Sequence, residues 1–204
     1  MLKFFSLVIG YVFGSVLTAN IVSRRCTGKA ATEIGTKNPG MANIMMNIGK
    51  KAGFLVLLGD IVKTAAAMFL AWLLFSGRIG RICIQYAGLG ALLGHDFPIQ
   101  NRFRGGKGVT VTCTWLILAY LLPGILCSLA GAAVVFLTGW LPLGAVVIAA
   151  LAVPMSWKVC GSEALLLVSI ACAMMFLKNF SGLRRIVRGE EEIHLKLAGR
   201  HKRA

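Results

Sequence analysis

Along this chain the apolar positions gather into long runs, and the polar positions between them are mostly glycine, asparagine, lysine and arginine. Leu2 to Val22, Gly53 to Ser76 and Val109 to Trp157 are nearly free of charge, and Ile82 to Leu93 and Ala164 to Leu177 form two shorter runs. A helix needs about 20 apolar residues to cross the hydrocarbon of a bilayer. The first two runs therefore predict one spanning helix each, and the third is long enough for more than one. Pro123 and Pro142 predict breaks in it, because proline lacks the N–H that continues a helix. Separate helices over 109–121, 124–139 and 141–157, with a last one ending at Lys178, give seven spans; if they merge pairwise, five. The run from Leu2 lacks a strongly basic leader, and Arg24-Arg25 and a polar loop follow it at once, which predicts a first helix and not a cleaved signal. The expected fold class is all-α: a polytopic membrane helical bundle of about seven transmembrane helices, in one domain over 1–204, with a basic tail from 178.

Composition supports this reading. Of 204 residues, 57% are hydrophobic and only 14% charged, a balance that a water-soluble domain of this size could hardly keep dissolved. The net charge of +15 adds orientation. Lysine and arginine cluster over 24–51, over 102–107 and from Lys178 onward. The positive-inside rule puts all three clusters on the cytoplasmic face, leaving Lys3, Arg78, Arg81 and Lys158 for the other side. The N-terminus is then outside and the C-terminus cytoplasmic. In the tail the basic residues read mainly as topology and lipid-headgroup contacts. Six cysteines (Cys26, Cys83, Cys113, Cys127, Cys160, Cys172) show no Cys-x-x-Cys pair and read as buried free thiols; no metal site is expected.

The inner loops carry more than orientation requires. Between Gly28 and Gly53 the first contains Thr36, Asn38, Gly40 and Asn43 among five glycines and three asparagines. Such a loop could present backbone amides to an anion or could simply turn the chain. The second, "NRFRGGKGV", sets Arg102, Arg104 and Lys107 around Gly105-Gly106 immediately before an apolar helix. A helix N-terminus flanked by cations and reached through glycines suits a phosphate. The spacing is not that of a nucleotide P-loop, and a nucleic-acid surface would need aromatic platforms. A small phosphate ester at the membrane surface is left. Asp60 and Lys63, three apart inside an apolar run, share a helix face and can pair, which lowers the cost of either charge at membrane depth. His95, seven residues before Arg102, is a candidate proton acceptor near neutral pH.

These blocks resemble a known family. "GSVLTANIVSR", "EIGTKNPGMANI", "KKAGFLVLLGDIVK", "GHDFPIQNRFRGGKGV" and "GLRRIVRGEE" are similar to the bacterial membrane acyl-phosphate:glycerol-3-phosphate acyltransferases over nearly the whole chain. The resemblance implies transfer of a fatty acyl group from acyl phosphate to the 1-hydroxyl of glycerol 3-phosphate in phospholipid biosynthesis. The products are lysophosphatidate and inorganic phosphate. It also implies a seven-helix bundle in the bacterial plasma membrane, motifs on cytoplasmic loops, and no cofactor, metal or obligate protein partner. On that reading Arg104, Lys107 and the amides of Gly105 and Gly106 hold phosphate. Thr36, Asn38, Gly40 and Asn43 complete the site from the first loop, with Asp60, Lys63 and Arg102 contributing. His95 orients or deprotonates the attacking hydroxyl, unless a substrate phosphate oxygen does so.

The chain departs from the family pattern in places. "GTKNPGMAN" stands for the usual Gly-Ser-Gly-Asn-x-Gly-Ala-Thr-Asn, Thr32 for an arginine, Leu17 for a proline, and "NFSG" from Asn179 for His-Arg-x-Asn. Two alternatives stay open: a paralogue acylating another phosphorylated acceptor, and a small transporter or channel for an organic phosphate lined by Asp60 and Lys63. Acyl-CoA-type acyltransferases need His-x4-Asp, whereas Gln100 stands five residues after His95. Alcohol phosphotransferases need several spaced aspartates, and Asp60 and Asp96 are the only two.

Overall fold

A computed structural model of the chain describes residues 1–157, 159 and 161–191; Lys158, Cys160 and the tail from 192 lie outside the described residues. Among these residues every regular element is helical: α1 (Leu2–Gly14), α2 (Thr18–Thr27), α3 (Met41–Asn47), α4 (Lys50–Ile79), α5 (Ile82–Asp96), α6 (Val109–Ala119), α7 (Leu121–Thr138), α8 (Leu141–Trp157) and α9 (Ser162–Val187), with 3-10 turns at Ala31–Glu33 and Ile99–Asn101. Four stretches are long and apolar enough to cross a membrane: Leu2–Thr27, Lys50–Ile79, Leu121–Thr138 and Ser162–Val187. α6 and α8 are shorter apolar helices.

The tract 109–157 is divided into three helices, as the prolines predict, but both prolines lie just inside helix starts and not between helices. Pro123 is the third residue of α7 and Pro142 the second of α8, first-turn positions whose N–H would have no helical acceptor in any case. Two expected boundaries need correction. α9 continues nine residues past Lys178 to Val187, so the basic stretch begins on a helix and not as a free tail. Arg24 and Arg25 sit in the last turn of α2, where cations complement the helix dipole, and the first loop starts at Gly28.

A third correction matters most for the site. The run from Leu2 is not one helix: it breaks over Ser15–Leu17, with Leu17 extended at φ −80° and ψ 92°. A break inside an apolar run leaves backbone carbonyls without helical partners, which is tolerated at membrane depth only where protein groups satisfy them. Here the Gln100 amide donates to the Ser15 carbonyl and the Lys63 ammonium to the Val16 carbonyl at 2.9 Å. The φ of Leu17 is one that proline adopts. Leu17→Pro is therefore expected to fold, but the gain of about 0.5 to 1 kcal/mol through the unfolded chain is offset by the lost packing of a buried leucine, so the thermal midpoint in detergent should change little.

α1 packs along α5 through small residues. Gly10 faces the Ala87 carbonyl, Gly14 the Ala91 carbonyl, Gly90 the Leu7 carbonyl and Gly94 the Tyr11 carbonyl, so closely that a Cβ at any of them would overlap backbone. Two Gly-x3-Gly pairs thus make one seam, the small-residue device that membrane helices use to approach. Gly90→Val should cost at least 1 to 3 kcal/mol, the range for overpacking a rigid contact. At Gly77 a Cβ would meet no described atom within 4 Å, so alanine there should be accepted without loss; thermal unfolding of the pair checks both.

This seam, with the short α4 to α5 turn, sets the ends of the bundle. Lys3 at the start of α1 pairs with Glu163 at the start of α9 at 2.6 Å, and Arg81 donates to the Ala119 carbonyl at the end of α6. The loops over 28–49 and 97–108 join helices at the other end. Both loops thus share one end of the molecule, opposite Lys3 and Arg81, as the charge pattern predicts. Lys158 lies outside the described residues.

Candidate active site

The polar centre forms where the break in the first helix meets α4 and the last turn of α5. Asp60 and Lys63 pair at 2.8 Å, both buried, as their spacing predicts. Lys63 has two further contacts. It donates to Val16 at 2.9 Å and lies 3.0 Å from His95 Nδ1, so all three ammonium protons have acceptors. Asp60 also accepts from Thr18 at 3.4 Å. Lys63 lies 13 residues into α4, roughly 20 Å along its axis from Lys50 at 1.5 Å per residue. The centre is therefore deep, below the level of the first loop.

The second loop folds back onto His95. Tyr11 donates to the Phe97 carbonyl at 2.8 Å and accepts from the Ile99 N–H at 3.1 Å, pinning the turn to α1. Arg102 and Phe103 take left-handed φ of 52° and 58°. The Gly106 N–H donates to the His95 carbonyl at 2.9 Å, and the Gly106 Cα lies directly against His95 Nε2, where a Cβ would collide with the ring. A side chain on Gly105 would meet the His95 carbonyl. The two glycines let backbone rest on imidazole. The expectation that the Gly106 amide holds phosphate needs correction, since its hydrogen is already donated within the loop.

Lys107 is half-buried. Burial pushes its pKa below the ordinary lysine value, Glu191 acts in the opposite sense, and Arg185 adds to the lowering. Glu191, just beyond α9, pairs with Arg185 at 2.6 Å. Arg102 and Arg104 are exposed, and neither makes an ion pair among the described residues. Gly108, left-handed at φ 70°, caps the N-terminus of α6.

The first loop is organised around Asn43. Its Oδ1 accepts from the Thr36 N–H at 2.9 Å and its Nδ2 donates to the carbonyls of Ala31 at 3.1 Å and Ile34 at 3.0 Å. Asn47 adds a bond to the Asn43 Oδ1 at 3.0 Å. Expected as a substrate contact, Asn43 has both donor hydrogens committed to shaping its own loop. Thr36 is exposed, while Asn38 and Gly40 are partly buried. No hydrogen bond or ion pair joins the two loops among the described residues.

Asp96 and Lys178 have no role assigned to them from the sequence. Asp96 is fully buried, its carboxylate oxygens have no hydrogen-bond partner among the described residues, and they lie beside the Gly108 Cα at the start of α6. Lys178 donates to the Asp96 carbonyl at 2.9 Å and lies 4.0 Å over the Phe97 ring. Asn179 donates to Met175 within α9, so its side chain serves its own helix. A cavity of about 490 Å³ lined by Arg81, Gln85 and Tyr120 opens at the far end of the bundle, remote from His95. Among the described residues no group of three metal-ligating side chains occurs. The thiols of Cys83, Cys127 and Cys172 are free and buried, that of Cys113 is partly buried, and that of Cys26 is exposed.

The sequence profile of one family, described as glycerol-3-phosphate acyltransferase, matches residues 4–189. The chain belongs to the glycerol-3-phosphate acyltransferase family. Relatives include glycerol-3-phosphate acyltransferase 1 of Lactobacillus johnsonii, 43% identical over 129 residues, which are 63% of this chain and 62% of that protein. That alignment spans under two thirds of the Lactobacillus protein. The glycerol-3-phosphate acyltransferases of Tolumonas auensis (32% identical, 90% of this chain and 88% of that protein) and Photobacterium profundum (33%, 91% and 90%) match over most of their length. The fold is that of the crystal structure of PlsY (YgiH), an integral membrane glycerol 3-phosphate acyltransferase, in its glycerol 3-phosphate form. The TM-score is 0.84 over 94% of each chain at 21% identity. Its lysophosphatidic acid form matches at 0.82 and 20% identity. The resemblance read from the "GHDFPIQNRFRGGKGV" block is thus borne out for the acyltransferase family as a whole. The block itself forms the backbone wrap around His95.

Proposed function

We propose that this glycerol-3-phosphate acyltransferase takes its acyl group from an acyl phosphate and esterifies the 1-hydroxyl of glycerol 3-phosphate. The hydroxyl oxygen bonds to the acyl carbon, the carbon–oxygen bond of the mixed anhydride breaks, and phosphate departs with the electron pair. In the balance the hydroxyl proton ends on the phosphate. Acyl phosphate is already activated, so the protein has to position and neutralise more than to create a strong nucleophile. Lys107, Arg104 and the Gly105 amide are assigned to phosphate, with Thr36 and Asn38 reaching in from the first loop; Asp60 and Lys63 support from beneath. The chain crosses the bacterial plasma membrane seven times, with the N-terminus outside and both loops cytoplasmic. The family match across 4–189 carries the reading. The cation-flanked loop packed on a buried histidine supplies the chemistry.

Purified protein in lipid, given palmitoyl phosphate and glycerol 3-phosphate, should release inorganic phosphate and form lysophosphatidate. No release would overturn the assignment. A panel of other phosphorylated acceptors tests whether "GTKNPGMAN", with Lys37 at φ 58°, has shifted the acceptor.

A further inference from the structure

We infer that Lys63 is a positioning residue that fixes the tautomer of His95, so that His95 presents a hydrogen-bond donor and not a base to the reactants. This rests on the acyltransferase reading above for its chemical meaning, but its structural content stands on three contacts. An ammonium group has protons and no lone pair. Lys63 lies 2.8 Å from a carboxylate that is its ion-pair partner, so it is held in the charged form. At 3.0 Å from His95 Nδ1 it can only donate. The Nδ1 of His95 must then carry a lone pair, which places the ring's proton on Nε2 and leaves the imidazole neutral. The role of a histidine nitrogen is set by the bond its partner nitrogen makes.

The opposite arrangement is close at hand and is not the one adopted. Asp60 Oδ1 lies 3.8 Å from the same Nδ1. If the carboxylate made that contact directly, it would draw a proton onto Nδ1 and free Nε2 to accept one, as in hydrolases whose aspartate orients a catalytic histidine. Lys63 stands between the two groups and reverses the polarity. The Nε2 edge is the one that faces Gly106, so the donor points toward the loop that carries Lys107. A neutral N–H at that edge suits an oxygen on which negative charge builds, the acyl carbonyl or a phosphoryl oxygen. Asp60 and Lys63, expected to touch substrate, act through His95.

The test is nuclear magnetic resonance on the full chain in lipid with ¹⁵N-labelled histidine, His95 being assigned by comparison with His95→Gln. Wild type should show a protonated Nε2 and a bare Nδ1. In Lys63→Met the proton should move to Nδ1 beside Asp60, and Lys63→Arg, which keeps a donor, should preserve the wild-type pattern. A wild-type proton on Nδ1 would overturn the inference without touching the acyltransferase reading. An unchanged tautomer in a folded Lys63→Met would do the same.

Should Lys63→Met not fold, turnover of two His95 variants decides the matter. Glutamine can offer an N–H near the Nε2 position, while glutamate offers only an acceptor. His95→Gln should lose about tenfold and His95→Glu more than a hundredfold, because the loss of a hydrogen-bond donor facing developing charge costs more than its replacement by a weaker one. The reverse order would restore His95 as the base. Wild type that forms no ester at all, yet shows the Nε2 tautomer, would sink the function and leave the inference standing.

Discussion

Replacing Lys107 by alanine is expected to reduce phosphate release from acyl phosphate at least tenfold, and up to a few hundredfold, with the fold intact. On the proposed function it would give a phosphate a charged hydrogen bond worth about 1.5 to 3 kcal/mol, and about 1.4 kcal/mol is a factor of ten. Lys107 is half-buried and its pKa is pushed down chiefly by burial. A phosphate bound there, as proposed, would meet a cation already stripped of part of its water by burial. Arg102 and Arg104 are exposed, so their removal should cost less and depend more on salt. Lys107→Ala with normal rates and normal thermal unfolding would take Lys107 out of the site.

The second large effect is on stability. Asp60→Leu should destabilise the protein by about 3 to 5 kcal/mol, because it leaves the Lys63 ammonium buried without its counter-charge. The double variant Asp60→Leu with Lys63→Leu removes both charges, and should recover part of that loss while remaining inactive. Full recovery is not expected, since the Val16 carbonyl would lose the donor that satisfies it at 2.9 Å. Thermal unfolding of the two single variants and the double in one detergent gives the coupling. Strict additivity would mean that the two groups do not interact, contrary to the 2.8 Å contact.

Much of this was legible from sequence because it depends on spacing within one helix. The Asp60 and Lys63 pair follows from a three-residue interval, and the separate helices over 109–157 from prolines that begin two of them. The placement of both inner loops at one end follows from where lysine and arginine cluster. What stayed hidden depends on contacts between segments distant in the chain. Nothing local marks the break at Ser15–Leu17, because leucine stands where a proline would have signalled it; only the donors on α4 and the second loop make the break tolerable. The commitment of the Gly106 N–H to the His95 carbonyl is likewise invisible in "RGGKG", which reads as a row of open amides. Asn43 looked like a ligand for the same reason: short polar side chains serve a loop's own backbone as readily as a substrate. Asp96 could have been noticed beside His95, but its position against α6 is a product of the loop's return. The Gly-x3-Gly spacing in α1 and α5 was a signal available in the sequence.

The glycine seam between α1 and α5 bears on how the proposed acyl donor would reach the buried histidine. At Gly10, Gly14, Gly90 and Gly94 backbone lies against backbone of the facing helix, which leaves no room for an alkyl chain at those contacts. A long-chain donor of the kind proposed would then have to enter from another side of the bundle, and a search for its alkyl site should begin away from the first helix.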